Sequence, residues 1–236
     1  RSSRKEFMVG RFAVVAKRRR RKNNMADFEI HKLYKGKVEV KYYPESHKYY
    51  VDGKQKTGAS TIAEALDKSR ILTDWVREET AKHLLPFVGQ EVSEGMIVDA
   101  VFESRKTKDR AAEVGTLIHD WISEYIKHKL RKGAMPEMPE DSAVLAGVNA
   151  FMEWEGQHKL RYLESEKIVC SRKHDYIGRF DFTAFVDKVP CLVDVKSANG
   201  LYNPVRLQTA GYIRAEQEET NSGLVGRWAI RVAKET

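Results

Sequence analysis

The chain has 236 residues, of which 42% are hydrophobic and 10% aromatic, and its 42 Lys and Arg outnumber its 34 Asp and Glu. This composition excludes a disordered, fibrous or collagen-like protein, and no uncharged apolar run reaches the roughly 18 to 20 residues of a membrane helix. Two cysteines, Cys170 and Cys191, are too few for a disulfide framework or a four-cysteine iron–sulfur cluster. The sequence therefore predicts a soluble domain in a reducing compartment, with no membrane partner.

All of the excess positive charge lies in residues 1–24. They hold ten Lys and Arg and one acidic residue, whereas the other 212 residues hold 32 basic and 33 acidic side chains. Such a segment is typical of a targeting signal or of a flexible arm that contacts phosphates. We favour a third interpretation, a leader that is not native, because Met25-Ala26-Asp27 resembles a translation start.

The residues after this basic segment predict a β-hairpin followed by helices. Two stretches rich in β-branched and aromatic residues, 38–43 and 47–51, flank the turn Pro44-Glu45-Ser46. Ser60 and Thr61 are expected to cap a short helix, and a second helix is expected to end near Leu84, before Pro86. Residues 91–104 are only weakly helical.

The clearest helix is predicted from Arg110 to Leu130, where apolar residues recur at helical spacing. Asp141 and Ser142 are expected to cap a further helix.

A compact α/β block follows these helices. Three short stretches, 162–170, 178–186 and 191–197, are rich in β-branched and aromatic residues and predict a meander of strands. A helix is expected to begin at Pro204, and residues 224–232 predict a returning strand.

Acidic residues fall on two neighbouring strands of this meander. Asp194 and Lys196 are two positions apart, so the period of a strand places both side chains on one face. Asp181 lies on the preceding strand. Two carboxylates held close together are costly unless a cation lies between them, and hard divalent cations prefer oxygen ligands. A nearby Lys can orient or activate an attacking water, although Asp-x-Lys alone is common on surface strands.

Two helices contribute further candidates. His119 lies one turn beyond Gly115 on the 110–130 helix, where a core histidine bonded to the backbone would be the more frequent role. Gln208 and Tyr212 lie four positions apart on one face of the helix that follows Asp194 and Lys196. Taken alone, this pair would be ordinary helix surface.

Two further charged residues of the meander, Glu166 and Arg179, each allow more than one role. Glu166 is a candidate accessory residue of the metal site or its water network, and an exposed carboxylate on a sheet edge is its more frequent alternative. Arg179 is expected to point away from Asp181 and to have a structural role.

Together these residues form a pattern of fixed order and spacing. Gly-x-x-x-His, Gly-x-x-Asp, Asp-x-Lys and Gln-x-x-x-Tyr follow one another between residues 115 and 212. The pattern resembles the RecB-type branch of the PD-(D/E)XK nuclease superfamily, and residues 47–53 resemble the hairpin of its phage-encoded members. Phe180-Asp181 stands where the family name has Pro-Asp. The resemblance implies an α/β fold with a mixed central β-sheet flanked by helices, preceded by the hairpin and a helical elaboration.

The resemblance also implies roles for single residues. One or two Mg²⁺ or Mn²⁺ ions would be bound by His119, Asp181, Asp194 and the Val195 carbonyl group. Catalysis would depend on Lys196, Asp181 and Asp194, and Gln208 and Tyr212 would position the substrate. A histidine ligand makes Mn²⁺ more acceptable than an all-oxygen site would.

We therefore expect three segments: the basic segment 1–24, an N-terminal hairpin and helical elaboration over 25–109, and a nuclease core over 110–236. The expected function is metal-dependent hydrolysis of DNA in recombination, repair or phage DNA metabolism, with an exonuclease favoured over an endonuclease. The alternatives are a catalytically silent nucleic-acid-binding module and a nuclease subunit that depends on a recombination partner such as a single-strand annealing protein. The expected location is the cytoplasm of a bacterial or phage-infected cell, or a mitochondrion or nucleus if residues 1–24 are native.

Overall fold

The structure is a computed structural model that describes residues 27–65, 69–198 and 200–232, so the basic segment 1–24 lies outside the described residues. Its strands are β1 Glu29–Leu33, β2 Val38–Tyr43, β3 Lys48–Val51, β4 Lys54–Gly58, β5 Leu160–Ser171, β6 Tyr176–Val186, β7 Val189–Lys196 and β8 Gly226–Arg231. Its helices are α1 Ala59–Glu64, α2 Ser69–Leu84, α3 Glu94–Lys129, α4 Ser142–Gln157 and α5 Asn203–Thr220. Within the described ranges, no helix is long and apolar enough to cross a membrane.

All eight strands belong to one mixed sheet. Strands β1 to β4 form an antiparallel meander, so the predicted hairpin is confirmed and has one further strand on each side. Strands β5 to β7 form the predicted second meander, also antiparallel. Helix α5 then crosses over to β8, which pairs parallel with β7. The expectation of an α/β fold with a mixed sheet flanked by helices is confirmed.

Strand β6 connects the two meanders, because β4 and β7 pair with different parts of the same edge of β6. One edge of β6 pairs with β5 over most of its length. The other edge pairs in parallel with β4 at Tyr176 and Ile177, and in antiparallel with β7 from Phe182 to Val186. Residues 178–181 lie between these two ladders and have no strand partner on that edge. We call this gap the fork.

Helices cover both faces of the sheet. Helices α3 and α4 pack on the face that carries Val193 and Val195, in a cluster that includes Ile118 and Phe151. Leu192 alternates with these valines along β7 and belongs to a second cluster with residues of α5. A third cluster lies beneath β1 to β3, against the outer ends of β5 and β6. The N-terminal strands therefore share a buried core with the α/β block.

Two predictions about helix starts were wrong. Helix α3 is a single helix of 36 residues that begins at Glu94 after the cap Ser93, so residues 109 and 110 lie inside it. Residues 105–110 are exposed, and their charged side chains leave no apolar period for the sequence to reveal. Helix α1 is preceded by Gly58 without a side-chain cap, and Ser60 and Thr61 lie in its first turn. The predicted cap Asp141 is confirmed, because its side chain accepts hydrogen bonds from two backbone amides of α4.

Two glycines of α4 offer a matched test of how tightly this helix packs on α3. A Cβ atom at Gly147 would lie 2.3 Å from Ile118 Cδ1, whereas a Cβ atom at Gly156 would meet nothing within 4 Å. Overpacking a buried site costs about 1 to 3 kcal/mol, and Gly to Ala in an open helix position gains up to about 1 kcal/mol. We expect Gly147→Ala to lower the free energy of unfolding in urea and Gly156→Ala to raise it. Equal effects of the two changes would contradict the packing of α3 on α4.

Candidate functional site

A cavity of about 970 Å³ opens at the fork. One wall is formed by the turn between β2 and β3 together with β4, and the opposite wall is formed by α3. The lining residues that carry charge or a hydrogen-bonding group include His47, Lys48, Tyr49, Lys56, Ser60, Thr61, Thr116, His119, Asp120, Glu166, Arg179, Asp181, Ser197 and Tyr212. Residues from both meanders and from α1, α3 and α5 therefore meet in one cavity.

The two predicted carboxylates lie beside each other at the fork. Phe182 and Val193 form the last ladder pair of β6 and β7, and the next position on each strand is Asp181 and Asp194. The Val195 amide donates a hydrogen bond of 2.6 Å to Asp181 Oδ2, so a side chain accepts the bond where the ladder has ended. Because this bond fixes the Asp181 carboxylate at the strand end, the fork itself orients one of the two acidic groups.

Asp194 is an almost fully buried carboxylate. Its side chain is 2% exposed, and Oδ2 lies 2.7 Å from Lys196 Nζ. Lys196 is thus the charged partner of this buried oxygen, which accepts no hydrogen bond from any other described residue. Burial and then the charge of Asp181 raise the pKa of Asp194 to about 7, against the opposing charge of Lys196. Burial alone would lower the pKa of Lys196, but Asp194 and Asp181 outweigh it and raise this pKa.

His119 approaches the carboxylates from α3. Its Nδ1 lies 3.7 Å from Asp181 Oδ2, and its side chain is about one third exposed to the cavity. Gly115, one turn earlier on the same helix, also lines the cavity. The histidine thus lies at the cavity wall. It is not in the core, where its position on an apolar helix had favoured placing it.

Gln208 and Tyr212 form a hydrogen-bonded pair on α5. Gln208 Nε2 donates to the Tyr212 hydroxyl group at 2.8 Å. Tyr212 is buried, and burial chiefly raises the pKa of its hydroxyl. Its ring occupies the space beside Gly178, where an added Cβ would lie 2.3 Å from a ring carbon. Tyr212 therefore reaches the cavity because β6 has a glycine at this position.

Glu166 forms a row across three neighbouring strands with Asp181 and Asp194. It lies between the ladder pairs Ser165–Phe182 and Lys167–Phe180, which places it opposite Asp181. Its backbone φ is +53°, a left-handed conformation that is uncommon for a residue with a side chain. Burial raises the pKa of Glu166 to about 7, opposed by Arg179 and reinforced by Asp181. The expectation of an exposed edge carboxylate was wrong, because Glu166 is half-buried and lines the cavity.

Arg179 also lines this cavity, so the expectation that it points away from Asp181 was wrong. Its Nε lies 2.9 Å from Glu166 Oε2. Its guanidinium group lies 5.1 Å from the centre of the Tyr42 ring. The sequence contained the signal for this placement, because residues two positions apart on a strand share a face.

The carboxylate oxygens at the fork are ligands of the kind that a hard divalent cation prefers. Asp181 and Asp194 repel each other, and Asp194 is buried with Lys196 as its charged partner. A cation between them would remove the repulsion. Over the described part of the chain, however, no group of three or more His, Cys, Asp or Glu side chains is arranged to hold a metal ion. The fit is therefore to two carboxylates, with His119 near by.

No protein-family model and no curated protein matches this sequence.

The repulsion at the fork can be measured as stability. Because the folded pKa of Asp194 is raised from its ordinary value near 4 to about 7, the metal-free protein loses stability as pH rises through this window. Asp181→Asn keeps an oxygen for the Val195 amide but removes the repelling charge. We expect the variant to gain on the order of 1 kcal/mol in free energy of unfolding at pH 8, and much less at pH 5, where Asp194 is protonated.

The measurement is urea unfolding in EDTA at both pH values. Asp120→Asn is the matched control, because Asp120 is an exposed carboxylate on the wall of the same cavity. A gain that is the same at pH 5 and pH 8, or a loss at pH 8, would show that the two carboxylates do not repel each other.

Proposed function

We propose that this protein is a metal-dependent nuclease that hydrolyses phosphodiester bonds in DNA. The observation that carries the proposal is the pair Asp181 and Asp194, held side by side at the fork with Lys196 in contact with Asp194. Asp181 lines the cavity of about 970 Å³. A repelling pair of carboxylates, of which Asp194 is buried, is costly for a purely structural site, and such sites are candidates for function.

The chemistry of the proposed site depends on a divalent cation held by the two carboxylates. Mg²⁺ or Mn²⁺ bound there would polarise the scissile phosphate and make a bound water more acidic. His119 would be a nearby nitrogen ligand, with the Val195 carbonyl as an additional oxygen ligand. The hydrogen bond from the Val195 amide to Asp181 supports this arrangement, because it fixes the orientation of one carboxylate.

Lys196 would orient the attacking water and stabilise the negative charge that develops on the phosphate. Its raised pKa means that it carries a positive charge at neutral pH, so it would not be the group that removes a proton from water. The Gln208 and Tyr212 pair would position the nucleotide, since the tyrosine lines the cavity and the glutamine fixes its hydroxyl group.

The side chains on the cavity wall opposite α3 favour a polyanionic substrate. His47, Lys48 and Lys56 lie on it, and Lys56 forms an ion pair with Asp175. Cationic side chains in a cavity that Asp181 also lines suit a phosphate backbone that approaches a cation site. An exonuclease is favoured over an endonuclease on the resemblance of the motifs alone.

A silent nucleic-acid-binding module is the second candidate, and one substitution at each carboxylate separates the two. We expect Asp181→Asn and Asp194→Asn each to abolish cleavage of end-labelled linear DNA in Mg²⁺ or Mn²⁺. EDTA should do the same to the unmodified protein. DNA binding in a gel-shift assay should remain within a few-fold, because the cationic wall is unchanged. Turnover in EDTA, or an Asp194→Asn protein that cleaves at a near-normal rate, would contradict the proposal.

Lys196 provides an independent test of how the site acts. Lys196→Ala should lower the rate of cleavage by about 10² to 10⁴, the range for one electrostatic or proton-transfer contribution. Mn²⁺ binding measured by calorimetry should persist, since both carboxylates remain. Lys54→Ala, at an exposed lysine of β4, is the control and should cleave normally. If Lys196→Ala abolishes Mn²⁺ binding as well, Lys196 is a structural counter-ion of Asp194.

A further inference from the structure

Arg179 is held in a defined position at the cavity. Its Nε contacts Glu166 at 2.9 Å, and its guanidinium group stacks over the buried ring of Tyr42. A stacked and paired arginine loses less entropy when it binds an anion than a free surface arginine does. Arg179 is therefore a preorganised cation, unlike the exposed Lys48 on the same wall.

The guanidinium group also retains capacity for a ligand. Arginine has five N–H donors in one plane, and the contact with Glu166 engages Nε. In the described ranges, no hydrogen bond to the other two nitrogens accompanies it. Arg179 is also the one arginine among the described residues that line the cavity. A planar pair of donors of this kind matches two oxygens of a phosphate group.

The position of Arg179 relates it to the proposed site of hydrolysis. It precedes Asp181 by two positions on β6, which corresponds to about 6 to 7 Å along a strand. A phosphate held at Arg179 is therefore separated from Asp181, but Arg179 and Asp181 line the same cavity. Successive phosphates of one nucleic-acid strand can occupy two such positions at once.

We propose that Arg179 is a positioning residue that binds the phosphate neighbouring the scissile one. This inference rests on the proposed function for the identity of the ligand, a nucleic-acid strand. Glu166 holds the guanidinium group in place before the strand arrives, and the arginine then fixes the register of the strand against the two carboxylates. The alternative is that Arg179 only neutralises Glu166.

The decisive probe is a set of single-stranded oligonucleotides in which one linkage at a time is a neutral methylphosphonate. Binding is measured by fluorescence anisotropy in the Asp194→Asn background with Mg²⁺, so that cleavage does not interfere. One neutral linkage should weaken binding by about 10- to 100-fold, the range for a hydrogen-bonded charge pair. With Arg179→Gln added, the same linkage should have no further effect, because its partner is gone.

Arg161→Gln is the matched control. Arg161 lies on the neighbouring strand β5 and also stacks on an aromatic ring, Phe185 at 4.3 Å, but it does not line the cavity. This variant should keep the full sensitivity to the neutral linkage. Arg179→Lys keeps the charge but lacks the planar set of donors. Compared with Arg179→Gln, it should recover part of the sensitivity to the neutral linkage. If Arg179→Gln does not fold, as judged by circular dichroism, Arg179→Lys alone decides: unchanged sensitivity would overturn the inference.

Failure of this inference and failure of the proposed function give different results. If the unmodified protein cleaves DNA but no linkage loses its effect in Arg179→Gln, Arg179 only neutralises Glu166 and the nuclease assignment stands. If the protein never cleaves but the Arg179-dependent linkage is found, the phosphate site stands and hydrolysis does not. With cleavage present, Arg179→Gln should raise KM by at least 10-fold and change kcat much less, because Arg179 does not contact the reacting phosphate.

Discussion

The arrangement of the site depends on how one edge of β6 is shared. That edge pairs with β4 at one end and with β7 at the other, and the residues between the two ladders have no strand partner there. The backbone at the fork is therefore open to side chains, and Asp181 supplies the acceptor that the Val195 amide has lost. Because β4 forms one side of the fork, the N-terminal strands and the α/β block build the cavity together. A protein without β1 to β4 would lose a cavity wall and the core beneath those strands.

Charge is distributed at the fork in a way that stability alone does not explain. Three carboxylates, Glu166, Asp181 and Asp194, occupy corresponding positions on three adjacent strands. Burial raises the pKa of the outer two to about 7, and each has a basic partner, Arg179 or Lys196. Replacing buried charged groups by apolar ones often stabilises a protein, so these groups are a cost to stability, and the proposed function supplies a reason for their presence.

The sequence predicted those parts of the fold that depend on neighbouring residues. The strands of the second meander, the Asp141 cap and helix α5, which begins at Asn203 with Pro204 in its first turn, follow from strand period, capping chemistry and the fixed φ of proline. The fork was not predictable, because it depends on pairing of residues 57–58 with 176–177, which no local pattern specifies. Asp181, Asp194 and Lys196 were brought together as their spacing indicated. The predicted orientation of Arg179 was wrong, although its spacing of two residues from Asp181 on a strand indicated that the two side chains share a face.

The middle carboxylate differs from the other two in the row. Within the part of the chain that the structure describes, Asp181 has no lysine or arginine at ion-pair distance; its contacts are the Val195 amide and, at 3.7 Å, His119. The carboxylates on either side of it already have basic partners. An added cation would therefore gain most at Asp181, with Asp194 as the neighbour whose charge it would stabilise. In this arrangement the two basic side chains lie on either side of the proposed cation site, where they can contact the phosphates of a bound strand without occupying the site itself.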